Sequence, residues 1–111
     1  MHVTVIDNPD GTVVVTVRGN LDVDSGGVLL TTLDQPLGRP VPRIVVDLSD
    51  VEFCDTSGLS AFVVAHNRAV AAGGWVRLAA PHGQPEWLLE SAGLTGPLAV
   101  HPSVADALAA P

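Results

Sequence analysis

The sequence contains no lysine: its five cations are all arginine, against twelve Asp and Glu, for a formal net charge of −7. Without lysine there is no P-loop, no Schiff base and no lysine general base. Without a run of basic residues, so acidic a chain suits neither nucleic acid nor an anionic membrane. The single cysteine excludes an intramolecular disulfide and a four-cysteine zinc site. No apolar run approaches the roughly 20 residues that span a bilayer, and the N-terminus lacks the basic-then-apolar order of a signal peptide. Charged residues are also few, at 15%, while apolar residues reach 47%, which excludes a disordered chain. The expectation is one compact, cytoplasmic domain over residues 1–111.

What is present alternates between two periods. His2 to Asp7 is rich in β-formers, Asn8-Pro9-Asp10-Gly11 is dense turn chemistry, and Thr12 to Arg18 resumes the strand until Gly19. Val13, Val15 and Val17 share one face of that second strand, with Thr12, Val14, Thr16 and Arg18 on the other. Arg43 to Leu48 and Trp75 to Ala79 repeat the period-two pattern, so the sheet has one apolar and one mixed face. Between them Leu59, Phe62, Val63, His66 and Val70 fall on one stripe of a helix from about Ser57 to Ala72, stopped by Gly73-Gly74. Shorter helices are expected over 85–92 and 104–109, the latter capped by Ser103, with a short strand over 98–100 between them. Ser25 to Leu33 is the crossover between the second and third strands, although Gly26-Gly27 weakens it as a helix. The order is ββαβαβαβα: an α/β domain whose mixed sheet is covered mainly on one face by helices.

One segment stands out. Asp55-Thr56-Ser57-Gly58 follows a strand and opens a helix, placing a carboxylate and two hydroxyls where free N–H groups and a positive dipole end gather. In the plain structural reading, Thr56 or Ser57 is the N-cap, Asp55 favours the dipole and Gly58 permits close packing. In the functional reading, one hydroxyl accepts a phosphate, which would then sit on a helix N-terminus. Use of the hydroxyl as a nucleophile is disfavoured, because no G-x-S-x-G elbow or matched base accompanies it.

Gly19-Asn20-Leu21-Asp22, Ile44 to Ser49, and Phe53-Cys54-Asp55-Thr56-Ser57-Gly58-Leu59 together resemble the STAS domain of bacterial anti-sigma factor antagonists. Gly74 to Leu78, Ala92-Gly93-Leu94 and Val104 to Leu108 extend the resemblance over nearly the whole chain. It implies a role as a binding protein, not an enzyme, that captures an anti-sigma factor kinase and so frees a sigma factor. It implies Thr56, directly after Asp55, as the phosphoacceptor, where most such antagonists carry serine. A separate phosphatase would restore the unmodified form. Asp22, Asp24, Asp55, Ser57 and Gly58 are then expected on the partner-binding surface, with no cofactor or metal held by this chain. ATP and magnesium would belong to the kinase. A related STAS branch serves as a non-phosphorylated subunit of transport ATPases, and threonine acceptors occur in stress-signalling complexes, so those roles are the alternative.

The other residues have plainer readings. Asp22 and Asp24 suit capping or solvation before a weak helix. Cys54 reads as a buried small apolar residue, and His66 as a satisfied, part-buried histidine. His2, His82 and His101 are scattered, without metal-ligand spacing. Trp75 and Trp87 are expected to pack at sheet and helix borders, and Phe53 and Leu59 to pack beside the motif.

Overall fold

The computed structural model describes residues 1–111 as β1 (His2–Asp7), β2 (Val13–Leu21), α1 (Gly26–Leu37), β3 (Arg43–Cys54), α2 (Thr56–Ala71), β4 (Trp75–Ala79), α3 (Gly83–Ser91), β5 (Ala99–His101) and α4 (Val104–Ala109). The strands form one sheet in the order β1-β2-β3-β4-β5, with β1 antiparallel to β2 and every other pair parallel. The element order is the one expected. β1, β4 and α4 have the expected bounds, and Ser103 caps α4 by accepting the Asp106 N–H at 3.0 Å.

The alternation in β2 and β3 divides the core as the sequence pattern predicts. Val13, Val15, Val17, Ile44, Val46, Leu48, Val76 and Leu78 meet Leu29, Leu33, Leu59, Phe62, Ala65 and Leu89 from α1, α2 and α3 on one side of the sheet. On the other side Val14, Val45 and Ala79 are buried against Ala107 of the short α4. Arg77 fastens that helix: its guanidinium stacks 3.7 Å from the Trp75 ring and donates to the carbonyls of Ala107, Ala110 and Pro111.

Several expectations change, among them the bounds of α3 and β5, each displaced by one or two residues. Gly19 does not end β2. With φ +101 it sits at an irregularity in the β2–β3 pairing, and the strand continues to Leu21. β3 likewise runs past Leu48 to Cys54, because Arg18, Gly19, Asn20 and Leu21 pair with Asp50, Val51, Phe53 and Cys54. α1 spans Gly26–Leu37, longer than expected, with Pro36 inside its last turn. The buried stripe of α2 is Gly58, Leu59, Ala61, Phe62, Ala65 and Ala69, leaving Val70 exposed, and the half-buried His66 has no partner at Nδ1. Trp87 and Phe53 do not pack inside: they are 62% and 45% exposed.

Extension of β2 and β3 positions everything that follows. β1 pairs with β2 only as far as Arg18, and β4 pairs with β3 only as far as Asp47. Beyond those points β2 and β3 continue as a two-stranded ribbon that carries two strand-to-helix turns at its tip.

Candidate functional site: two turns at the tip of the β2–β3 ribbon

Leu21 and Cys54 are paired at the ribbon's end, so the turns that follow them lie side by side. The Asp55 N–H donates to the Leu21 carbonyl at 3.0 Å, tying the second turn to the first. Gly26, the first residue of α1, is buried with its Cα hydrogen facing the Ser57 backbone, where a Cβ would lie 3.4 Å from the carbonyl oxygen. The two helix starts therefore approach closely through a glycine.

In the first turn the Asp22 carboxylate accepts from the N–H groups of Asp24 and Ser25, both at 3.1 Å. The Ser25 hydroxyl lies within reach of the Asp22 carboxylate at 3.0 Å and the Asn20 carbonyl at 3.1 Å, and accepts the Asp22 N–H at 2.8 Å. That hydroxyl, foremost, holds the Asp22 carboxyl below its ordinary range. Asp22 thus closes the turn that leads into α1, whose N-cap position is Ser25 with no side-chain cap bond, whereas Asp24 is exposed and its carboxylate makes no bond.

In the second turn the cap is Asp55, neither Thr56 nor Ser57. Its carboxylate accepts the Gly58 N–H at 3.0 Å and its carbonyl accepts the Leu59 N–H at 3.1 Å. Asp, Thr and Ser are all good caps, and the backbone resolves the choice: Asp55 is extended at φ −103, ψ −178, while helical geometry begins at Thr56. In segment 55–60 the Gly58 N–H donates to the Asp55 carboxylate and the Ser60 hydroxyl to the Thr56 carbonyl, while the Thr56 and Ser57 hydroxyls make no hydrogen bond. Both residues are exposed. Gly58 is buried for a steric reason: a Cβ there would lie 2.7 Å from the Leu21 carbonyl oxygen and 2.9 Å from the Cys54 sulfur.

Beneath this turn Cys54 is buried as expected. Burial, and then the Asp55 charge, push its thiol up to about 11, so it stays neutral at physiological pH. Around the turns the surface mixes acids with apolar side chains: Glu52, Asp22 and Asp24 beside Val23 at 70%, Val28 at 54% and the exposed Phe53. An open cleft of about 440 Å³ lies beside the first turn, lined by Asn20, Asp22, Asp24, Ser25 and Val28 with Met1.

Two contributors are invisible in the sequence pattern. The Gln84 side chain accepts the Cys54 N–H and donates to the Cys54 carbonyl, each at 2.8 Å, and His82 Nε2–H donates to the Ser49 carbonyl at 2.7 Å. Each partner lies 30 or more residues away along the chain, so no local spacing signals the contact.

The chain matches the sequence pattern of the STAS domain over residues 4–107. It belongs to the STAS domain family. No curated protein matches it in sequence. Among solved structures, this STAS domain is similar to an anti-sigma factor antagonist from Mycobacterium paratuberculosis, at 26% identity and a TM-score of 0.86, covering 96% of this chain and 90% of that one. The antagonist SpoIIAA in its unphosphorylated form is 19% identical with a TM-score of 0.81, over 96% and 93% of the two chains. The STAS fold also recurs within the murine anion transporter Slc26a9, at 20% identity and a TM-score of 0.76, where this chain covers 88% of its own length and 17% of the transporter's. No helix of the chain is long and apolar enough to cross a membrane.

Proposed function

We propose that this STAS domain is an anti-sigma factor antagonist: it binds an anti-sigma factor of the serine/threonine kinase type, releases a sigma factor, and is switched off when Thr56 is phosphorylated. The observation that carries this reading is the contrast between the two turns. At Ser25 the hydroxyl is consumed by the fold, whereas at Thr56 it is exposed, unbonded and seated on the first residue of a sixteen-residue helix. The likeness to antagonist structures supports the class of partner, and SpoIIAA has been solved in a phosphorylated form as well.

The chemistry asked of this chain is small. Its Thr56 oxygen bonds to the γ-phosphorus of an ATP held with magnesium by the partner, the bond from that phosphorus to ADP breaks, the hydroxyl proton passes to a base of the partner, and ADP stays with the partner. The chain supplies the acceptor and acts as a binding protein, not an enzyme; a phosphatase reverses the change. Asp22, Asp24, Asp55, Ser57 and Gly58 form or shape the docking surface, together with the exposed Val23, Val28 and Phe53. That surface suits a partner presenting arginine or lysine beside apolar side chains. The setting is the cytoplasm, where an antagonist, its kinase and the sigma factor meet.

Phosphorylation adds about −1.5 to −2 charges beside Asp55 and Asp22, on a chain already at −7. In the free protein, water and the start of α2 accommodate the anion. Under a closed interface the phosphate would be desolvated, and the nearest cation along the chain, Arg68, is paired with Asp34 at 2.8 Å. The interface is lost while the fold persists. Binding of the purified kinase partner, followed by calorimetry, tests this: the unmodified chain and Thr56→Ala bind, and the phosphorylated chain and Thr56→Glu do not. Equal affinity for the phosphorylated and unmodified chains would defeat the proposal.

The likeness to a transporter's STAS region favours a second reading, a non-phosphorylated subunit that docks on a transport ATPase or a stress-signalling complex through the same surface. In that case Thr56→Glu alters binding little and no kinase modifies the chain.

A further inference from the structure

The β2–β3 ribbon has a structural weakness at its tip. After Asp47 the edge of β3 that faced β4 has no neighbouring strand, and a two-stranded ribbon alone is marginal in water. The chain covers this edge with side chains from the β4–α3 connection. Two left-handed residues shape it, Ala80 at φ +57 within the connection and Gly83 at φ +59 as the first residue of α3, with the Ala80 N–H anchored on the His101 carbonyl at 2.9 Å. His82 and Gln84 from this connection and the first turn of α3 reach back to β3.

Gln84 reproduces what a neighbouring strand would offer. Its amide oxygen takes the Cys54 N–H and its amide nitrogen serves the Cys54 carbonyl, both at 2.8 Å, so the peptide units on either side of Cys54 are held in place. Those units lead directly into Asp55, whose N–H is fixed on Leu21 and whose carboxylate caps α2 at Gly58. His82 gives a second hold five residues upstream, on the Ser49 carbonyl. Pro85 and Leu89 of α3 are buried beside Cys54, Leu59 and Phe62, which fixes the helix carrying Gln84 against the same turn.

We infer that Gln84 is a positioning residue for the Thr56 turn: by acting as a one-residue strand on Cys54 it sets where Asp55 caps α2 and where the Thr56 hydroxyl is presented. The geometric part stands on these contacts alone, and its meaning for phosphate transfer rests on the antagonist reading above. Gln84→Met keeps the length and volume of the side chain and removes both hydrogen bonds. Gln84→Glu keeps an acceptor for the Cys54 N–H but loses the donor to the carbonyl.

The test is amide hydrogen exchange followed by NMR on the full chain, joined to kinase assays. In Gln84→Met, exchange at Cys54 and Gly58 accelerates about fivefold or more, while Val45 and Val46 in the middle of β3 stay within about twofold of wild type. In Gln84→Glu, the Cys54 amide is slower to exchange than in Gln84→Met, a partial rescue that volume alone would not produce. With the kinase, Gln84→Met lowers kcat for Thr56 by about tenfold and leaves KM within about twofold, because the acidic docking surface is intact while the acceptor is misplaced. Uniform acceleration across the sheet in both variants would make Gln84 an ordinary fold-stabilising residue and overturn the inference. So would acceleration at Cys54 with Gly58 unchanged. If the wild-type chain accepts no phosphate, the antagonist reading fails, and the amide exchange still decides the role of Gln84.

Discussion

The two turns at the ribbon tip begin alike and are put to different uses. Each follows a paired strand end, and each opens with an aspartate whose carboxylate accepts an N–H three residues on: Asp22 from Ser25, and Asp55 from Gly58. In the first, the hydroxyl of Ser25 is folded into the turn and its hydrogen-bonding capacity is used. In the second, the position three after the aspartate is a glycine pressed against Leu21 and Cys54, and Thr56 and Ser57 are exposed with hydroxyls that make no hydrogen bond. An Asp cap costs the chain no hydroxyl at the second turn. Composition alone would rank both segments as polar helix starts; hydrogen bonding separates a structural serine from an available threonine.

The largest effect that distinguishes the turns is expected at their glycines. Gly58→Ala forces a Cβ within 2.7 Å of the Leu21 carbonyl oxygen and 2.8 Å of the Leu21 Cδ2. It should destabilise the fold by up to about 3 kcal/mol in urea unfolding. Gly26→Ala meets its nearest atom at an ordinary 3.4 Å and should stay within about 0.5 kcal/mol of wild type. Equal losses at both glycines would dissolve the steric difference between the turns.

The caps come next. Asp55→Ala removes the bond to Gly58 and should cost about 1 kcal/mol at neutral pH. Asp22→Ala should lower Tm as well, in a pH-dependent manner. The folded-state pKa of Asp22 is depressed, so the stability it adds is present above its unfolded value near 3.8 and is lost as pH falls through the folded value. The Tm gap between wild type and Asp22→Ala should therefore close on acidification, measured by thermal melts from neutral to acid pH. A gap that widens in acid would contradict this role of the Asp22 carboxylate in closing its turn.

The hydroxyls sharpen the comparison further. Ser25→Ala should cost about 1 kcal/mol, because its loss leaves the Asp22 N–H without its partner. Thr56→Ala and Ser57→Ala, having no bond to lose, should lie within about 0.5 kcal/mol of wild type. Chemical denaturation of the three variants under one buffer gives the ranking directly. The smallest change is a gain: at Gly27 an added Cβ meets nothing within 4 Å, so Gly27→Ala should stabilise α1 by about 0.5 kcal/mol.

Sequence reasoning reached the element order, the core face of β2 and β3, and the special status of Asp55 to Gly58, because each is written in local periodicity or turn chemistry. It stopped short where pairing partners decide. Ser49 and Asp50 interrupt the alternation of β3, so the strand looks finished at Leu48, yet β2 carries the ladder on to Cys54. Gly19 looks like a terminator but serves as the irregularity that lets β2 continue. The cap at Asp55 differs from the expected one by a single residue, a choice set by backbone angles that composition does not express. Gln84 carries no local mark at all, since its partner is Cys54, 30 residues upstream. Phe53 beside the motif and Trp87 at a helix border read as packing residues in the sequence, yet at the ribbon tip and on the outer face of α3 they stay exposed.

The difference between the two turns is tested most directly by locating the phosphate. The chain is incubated with its kinase partner and magnesium ATP, digested, and read by tandem mass spectrometry, alongside Thr56→Ala. One phosphate on Thr56, none on Ser25, and none on the Thr56→Ala variant is the predicted result. Phosphate on Ser25, on Ser57 in preference to Thr56, or undiminished on Thr56→Ala would contradict the account.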